Sequence, residues 1–229
     1  MGIEKNPADF LPSDVEAVVA SERNYAARYN RQSEPRAILL AGQPGAGKTV
    51  LSSMLNKLLC GNVYFINADE YRRFHPNYKE LYARYGSDSV QMTSGFSGAV
   101  TERLIHETSE RGIHLIIEGT GRTTDVPHRT AELLVKKGYR VELAVIATRP
   151  EHSLCSTLLR FYEMNERGTI PRATAMEAHD YVVRVLPDNL DVLRDDPVIS
   201  GITIWDRTPT KIYDSCGTAE CPSEVLRQY

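Results

Sequence analysis

Short, mostly apolar runs recur along this chain, separated by longer stretches in which apolar residues return every three or four positions. The runs at 37–40, 63–66, 113–117 and 140–147 lack polar alternation, which predicts strands buried on both faces. A last strand is expected over 199–205, with 211–214 continuing it as a hairpin. Helical spacing predicts helices over 14–29, 48–59, 78–85, 90–110, 126–137, 150–165 and 174–194. In the last of these Val182, Leu186, Leu190 and Leu193 share one face, and Pro187 predicts a kink. Ser13 followed by Glu16 reads as a capping box opening the first helix. Pro35 ends that region, and Gly61, Gly112 and Gly138 stand where helices should stop. After Cys216 no periodic pattern persists, so a weakly ordered tail is expected. Strands alternating with helices predict an α/β fold with a mostly parallel central sheet flanked by helices. One domain is expected, made of an N-terminal helical segment (1–34), a core (35–215) and a tail (216–229).

Composition narrows the function classes. The 229 residues are 41% hydrophobic and 25% charged, which excludes a disordered or fibrous chain. With 27 basic and 30 acidic side chains the net charge is −3, so no global basic field attracts nucleic acid. No apolar run approaches the roughly 20 residues of a membrane span. The opening MGIEKNPADF lacks a signal-peptide pattern. Cys60, Cys155, Cys216 and Cys221 match neither a zinc site nor a disulfide framework. These features predict a cytoplasmic protein with neither nucleic-acid nor membrane partners.

The most specific local chemistry lies at Gly42-Gln43-Pro44-Gly45-Ala46-Gly47-Lys48-Thr49, which fits G-x-x-x-x-G-K-[ST] between a predicted strand and a predicted helix. Glycines allow positive φ, so backbone N–H groups can turn inward around phosphate. The helix N-terminus adds partial positive charge. Lys48 reaches the β- and γ-phosphates, and the Thr49 hydroxyl joins a Mg²⁺ shell. A ligand-free glycine turn is the alternative, and the flanking strand and helix disfavour it. A nucleoside triphosphate is therefore expected.

The segments following the second and third strands are candidates for the phosphoryl acceptor site, because strand carboxyl ends line the crevice of open α/β sheets. Asp69 is the candidate general base, with Glu70 as competitor and a helix cap as the plainer role. Arg72 can bind phosphate or pair with a carboxylate. Glu118, Thr120 and Arg122 could hold a polyol or sugar, or simply stabilise a turn. On residues alone, Arg160 and Arg172 read as surface salt bridges, and His75 and His179-Asp180 as structural groups.

The set GQPGAGKT (42–49), NADEYRRFHP (67–76), LIIEGTGRTTDVP (115–127), KKGYRVELAVIA (136–147), LLRFYE (158–163), PRAT (171–174) and AHDYVV (178–183) resembles the zeta toxin family of epsilon/zeta-type toxin–antitoxin systems. The match runs in order over about 35–215. It implies a P-loop kinase-like three-layer sandwich. It also implies transfer of the γ-phosphate of ATP or GTP to the 3′-hydroxyl of UDP-N-acetylglucosamine, with Mg²⁺, and a cognate antitoxin partner. Residue by residue, it implies catalytic roles for Asp69, Lys48, Arg160 and Arg172, and acceptor binding by Glu102, Glu118, Thr120 and, less directly, Arg122. From sequence alone Glu102 would be a solvated helical residue. Asn67-Ala68 replaces the Asp-Gly of many relatives beside the acceptor site, so related UDP-sugars stay open as acceptors. A kinase of another small molecule or nucleotide, and a nucleotide-gated switch without transfer, are the alternatives.

Overall fold

The computed structural model describes residues 6–171 and 174–229. Strands β1 (Arg36–Ala41), β2 (Val63–Asn67), β3 (His114–Glu118), β4 (Arg140–Ile146), β5 (Ile202–Trp205) and β6 (Lys211–Asp214) form one sheet in the order β2-β3-β1-β4-β5-β6. All neighbours are parallel except β5 and β6, which form the expected antiparallel hairpin. Along β1 the pleat sends Ala37, Leu39 and Ala41 to one side and Ile38 and Leu40 to the other. Both sets are buried, so the strand reads as a continuous apolar run rather than an alternating one.

Helices cover both faces. α2 (Lys48–Leu58) lays Leu51 and Leu55 on Ile38, Leu40, Ile116 and Ile146. The other face is packed by α1 (Pro12–Ala26), α6 (Ser94–Glu110), α7 (Asp125–Lys136), α9 (Met176–Arg194) and α10 (Pro222–Leu226). The short helices α3 (Ala68–Tyr71), α4 (Tyr78–Tyr85) and α5 (Ser89–Met92) fill the connection from β2 to α6, and α8 (Pro150–Glu166) follows β4. This is the three-layer, mostly parallel α/β architecture expected. Among the described residues no helix is long and apolar enough to cross a membrane.

Four boundaries differ from expectation, each for a local reason. The first helix begins at Pro12, whose fixed φ and missing N–H suit the first helical position. Its start is closed by the Leu11 N–H donating to Asp14 Oδ2 at 2.7 Å, so Ser13 and Glu16 form no capping box. Glu16 instead pairs with Arg23 and Arg103. The helix expected over 90–110 is broken at Thr93, whose hydroxyl donates to the Ser89 carbonyl at 2.9 Å. The last parallel strand starts only at Ile202, because the Asp196 carboxylate holds a turn by accepting from the Val198 N–H. The tail is not loose: α10 starts on Pro222, buries Val225 and Leu226 in the main core, and donates the Ser223 N–H to Asp191 Oδ1 at 3.1 Å. The helix over Met176–Arg194 runs through Pro187, which is buried.

Candidate functional site at the strand carboxyl ends

The glycine-rich turn joins β1 to α2, as the motif demands. Gly45 has φ +77°, and a Cβ added there would lie 2.0 Å from the Ser153 carbonyl oxygen of α8. Only glycine permits that approach, and it is what seats α8 over the turn. Gly47 caps α2 with φ +106°. The turn is clamped from the end of β4. Gln43 Nε2 donates to the Thr148 carbonyl at 2.6 Å, and the Thr148 hydroxyl donates to the Ala46 carbonyl at 2.7 Å. Beneath it the buried Ser153 hydroxyl meets His179 Nε2 at 2.7 Å, and His179 Nδ1 meets Asp180 at 2.9 Å. Ser153 and His179 are buried, so this chain of bonds supports the turn, the structural role expected for His179. Thr148 and Ser153 carried no sequence signal, because both lie some hundred residues from the motif they brace.

Lys48 opens α2 and folds back over the turn. Its Nζ donates to the carbonyls of Gly42 at 2.8 Å and Gln43 at 3.2 Å, and lies 3.9 Å from Glu118 Oε1. Burial lowers its proton affinity, the carboxylates of Glu118 and Asp69 raise it, and the Arg160 guanidinium lowers it again. Three charged groups from three other elements thus act on the Lys48 ammonium. Arg160 itself is an exposed residue of α8. Arg172 lies outside the described residues.

Asp69 and Glu118 arrive by strand geometry. β2 and β3 pair so that Asn67 faces Glu118 across the ladder. Asn67 Nδ2 donates to Glu118 Oε2 at 3.0 Å, and Asn67 Oδ1 accepts from the Asp69 N–H at 3.0 Å, opening α3. Asp69 Oδ1 accepts from Arg72 Nε at 2.9 Å, and Arg72 is fixed in turn by donating to the Val90 carbonyl at 2.6 Å. Arg72 therefore takes the carboxylate-pairing role of its two sequence-based options. Glu70 turns to Arg73, with 4.0 Å between charged atoms, rather than toward Lys48.

A cavity of about 440 Å³ opens beside the cradle. Pro44, Thr120 and Arg122 line it with Tyr181 and Val182 of α9. The loop that carries Thr120 and Arg122 is pinned by Asn189 Nδ2 donating to the Gly121 carbonyl at 2.8 Å. Thr49 is exposed beside Lys48. No cluster of three or more His, Cys, Asp or Glu suited to a metal occurs among the described residues. A single hydroxyl fits a Mg²⁺ carried mainly by nucleotide phosphates rather than one caged by protein. Glu102 is exposed on α6, on the side away from Phe96, Val100 and Leu104. Among the described residues no hydrogen bond joins Glu102 to the cluster. Arg207, in the β5–β6 loop, was not anticipated; it donates to the Ser156 hydroxyl at 3.2 Å and stands beside Gly47.

Comparison with known proteins identifies relatives of the whole chain. The chain is 40% identical over 222 residues to the toxin PezT of Streptococcus pneumoniae, covering 96% of this chain and 88% of that one. It is 40% identical over 196 residues to the toxin zeta of Streptococcus pyogenes, covering 85% and 68%. A solved structure from the PezAT chromosomal toxin–antitoxin system of Streptococcus pneumoniae superposes with a TM-score of 0.88 at 38% identity, over 97% of this chain and 88% of that one. An AvrRxo1-ORF1:-ORF2 complex with ATP shares the fold at a TM-score of 0.65 and 14% identity, over 97% and 74%. Residues 20–218, which hold the cradle, both strand tips and the loop with Thr120, match one family description; the chain belongs to the zeta toxin family.

Proposed function

We propose that this protein is a toxin kinase that moves the γ-phosphate of ATP or GTP to the 3′-hydroxyl of UDP-N-acetylglucosamine or a related UDP-sugar. Loss of that precursor would block peptidoglycan synthesis. The observation that carries the reading is the half-buried ammonium of Lys48 at the end of a phosphate-type turn, 3.9 Å from the Glu118 carboxylate and within the electrostatic reach of Asp69 and Arg160.

In this account the backbone N–H groups that the turn possesses, Pro44 having none, and the Lys48 ammonium bind the triphosphate, which replaces the Gly42 and Gln43 carbonyls as partners of Nζ. Arg160 and Arg172 offset charge on the transferring group. Thr49 would hold Mg²⁺ together with the phosphates, and the ion would supply further charge neutralisation. Glu118, Thr120, Arg122 and Glu102 bind the acceptor sugar. Asp69, steadied by Arg72, accepts the proton of the attacking hydroxyl as its oxygen bonds to the γ-phosphorus and the nucleoside diphosphate leaves. Most of the acceleration comes from positioning and fixed charge. A cognate antitoxin is the proposed partner, in keeping with the toxin–antitoxin system from which the similar structure comes.

The test is mass spectrometry after incubating the purified chain with ATP or GTP, Mg²⁺ and a panel of UDP-sugars, nucleotides and other alcohols. A UDP-sugar gaining one phosphoryl group is expected. Phosphorylation confined to another acceptor would replace the substrate assignment. Slow hydrolysis with no phosphorylated acceptor would replace the kinase with a nucleotide-gated switch.

A further inference from the structure

The strand that leads into the glycine turn divides the other strand tips into two groups. In the order β2-β3-β1-β4-β5-β6, the tips that lead to Asp69 and carry Glu118 lie on one side of β1, and the tips of β4 and β5 lie on the other. Ile146 pairs with Trp205, so the loop after β5 opens beside the end of β4. One side chain closes that loop. Asp206 Oδ1 accepts from the Thr208 N–H at 2.8 Å, the Thr208 hydroxyl at 2.7 Å and the Thr210 N–H at 2.9 Å. Bonding to the Thr210 N–H and the Thr208 hydroxyl holds its carboxyl below the usual carboxylate range. Arg207, which is exposed, projects from this loop toward the turn, and its Nε lies 3.8 Å from the point where a Cβ on Gly47 would stand. Its Nη1 and Nη2 both donate to the Ser156 oxygen of α8, at 3.2 and 3.3 Å. The Ser156 hydroxyl donates onward to the His152 carbonyl at 2.8 Å. Among the described residues Arg207 pairs with no carboxylate.

We propose that Arg207 is a donor-binding residue that grips the phosphates which stay with the nucleoside after transfer. The inference rests on the reading of the glycine turn as a triphosphate cradle. In that reading the γ-phosphoryl faces the acceptor side, at the β2 and β3 tips, whereas Arg207 reaches the turn from the side of β4 and β5. It therefore meets the inner phosphates. A guanidinium fork closed on one neutral oxygen leaves most of its five donors unused, and a phosphate offers it two charged oxygens at once. Asp206 already orders the loop, so exchanging Ser156 for phosphate costs little conformational freedom. The role differs from the one proposed for Arg160 and Arg172, which act on the group in flight. Arg207 holds what substrate, transition state and diphosphate product have in common. Such uniform binding lowers the donor KM without raising kcat.

The experiment compares Arg207→Gln and Arg207→Lys with the parent chain. Calorimetry with Mg²⁺ measures the binding of ATP, ADP, GDP and inorganic pyrophosphate, and steady-state kinetics measures transfer to the UDP-sugar. Arg207 is exposed, so both variants should fold, and a thermal melt checks that they do. The glutamine variant should bind all four ligands about tenfold more weakly, the scale of one lost charge-assisted bond. Its donor KM should rise by the same factor, with kcat and acceptor KM unchanged. The lysine variant, which keeps the charge and loses the fork, should recover part of the affinity. ADP bound equally by parent and glutamine variant would overturn the proposal. So would a loss shared by the nucleotides but not by pyrophosphate, which would move the contact to the nucleoside. A fall in kcat at unchanged donor KM would place Arg207 among the groups that act on the transition state, and would overturn it as well. A parent chain that binds none of the four would sink the cradle reading and this proposal with it. A parent that binds them yet phosphorylates no acceptor would sink only the kinase reading, and the ADP and pyrophosphate titrations would still decide the role of Arg207.

Discussion

Two hollows in this molecule differ in their charge: one is lined by ion-paired side chains, the other carries Arg122 among mostly uncharged neighbours beside the glycine turn. The larger, about 730 Å³, lies between α1 and α6, where α6 leads into the start of β3. The smaller, about 440 Å³, lies beside the glycine turn at the other end of the strands. In the larger, Arg23 and Arg103 each pair with both Glu16 and Glu107, at 2.8 to 3.1 Å. The ring is closed, and hydrogen bonding to Arg23 holds the Glu107 carboxyl below the usual carboxylate range. In the cradle next to the smaller hollow, one half-buried ammonium is held by backbone carbonyls with the Glu118 carboxylate 3.9 Å away. Size is therefore a poor guide to chemistry here. A ring of mutually satisfied ion pairs fastens α1 to α6, whereas a desolvated cation between carbonyls and carboxylates is poised to exchange partners for an anion.

The comparison can be broken by experiment. Its largest expected effect is Lys48→Ala. Transfer should fall by about 10²- to 10³-fold, the scale of a lost transition-state charge contact, and nucleotide affinity should fall with it. Folding should not suffer. The folded-state pKa of Lys48 lies below its ordinary 10.5, so the unfolded chain binds that proton more tightly. The charge thus opposes folding at neutral pH, and the penalty fades as pH rises from the folded value toward 10.5. Thermal melts across alkaline pH should show the parent gaining on the variant. A variant less stable than the parent at neutral pH would mean that the ammonium fastens the turn rather than awaiting a ligand.

Gly45→Ala comes next. Its Cβ would meet the Ser153 carbonyl at 2.0 Å with φ at +77°, so α8 must shift. Denaturant unfolding should report a loss of about 1–3 kcal/mol, and nucleotide titration a weakened site. Unaltered values on both would remove α8 from the cradle. The smallest effect belongs to the larger hollow. Glu107→Gln opens the charged ring, and should leave transfer unchanged while lowering the melting temperature slightly, less so at high salt. A marked loss of activity would show that the two hollows are coupled.

Legibility in the sequence followed distance along the chain. The helix Tyr78–Tyr85 lies where its spacing places it, and the parallel strands announced themselves as apolar runs. The cradle is contiguous, and Asp69 stands two residues beyond a strand end, so both were readable. The Asn67–Glu118 bond joins residues 51 apart and depends on β2 lying beside β3, a pairing no local pattern encodes. The Gln43–Thr148 clamp is hidden for the same reason, across 105 residues. Short elements failed differently. α10 has five residues, too few to display a period, and only its seat on α9 makes it a helix. Ser13 mimicked a cap one residue after the proline that starts the helix.

The central claim is that Asp69 takes the proton of a sugar hydroxyl aimed at the γ-phosphate. The most direct measurement follows parent and Asp69→Asn chains side by side by phosphorus NMR, with ATP, Mg²⁺ and UDP-N-acetylglucosamine. The account predicts a new phosphomonoester on the 3′-carbon of the sugar with the parent and none with the variant, while the variant still binds ATP. Transfer at the parent rate by the variant, or release of inorganic phosphate alone by the parent, would contradict it.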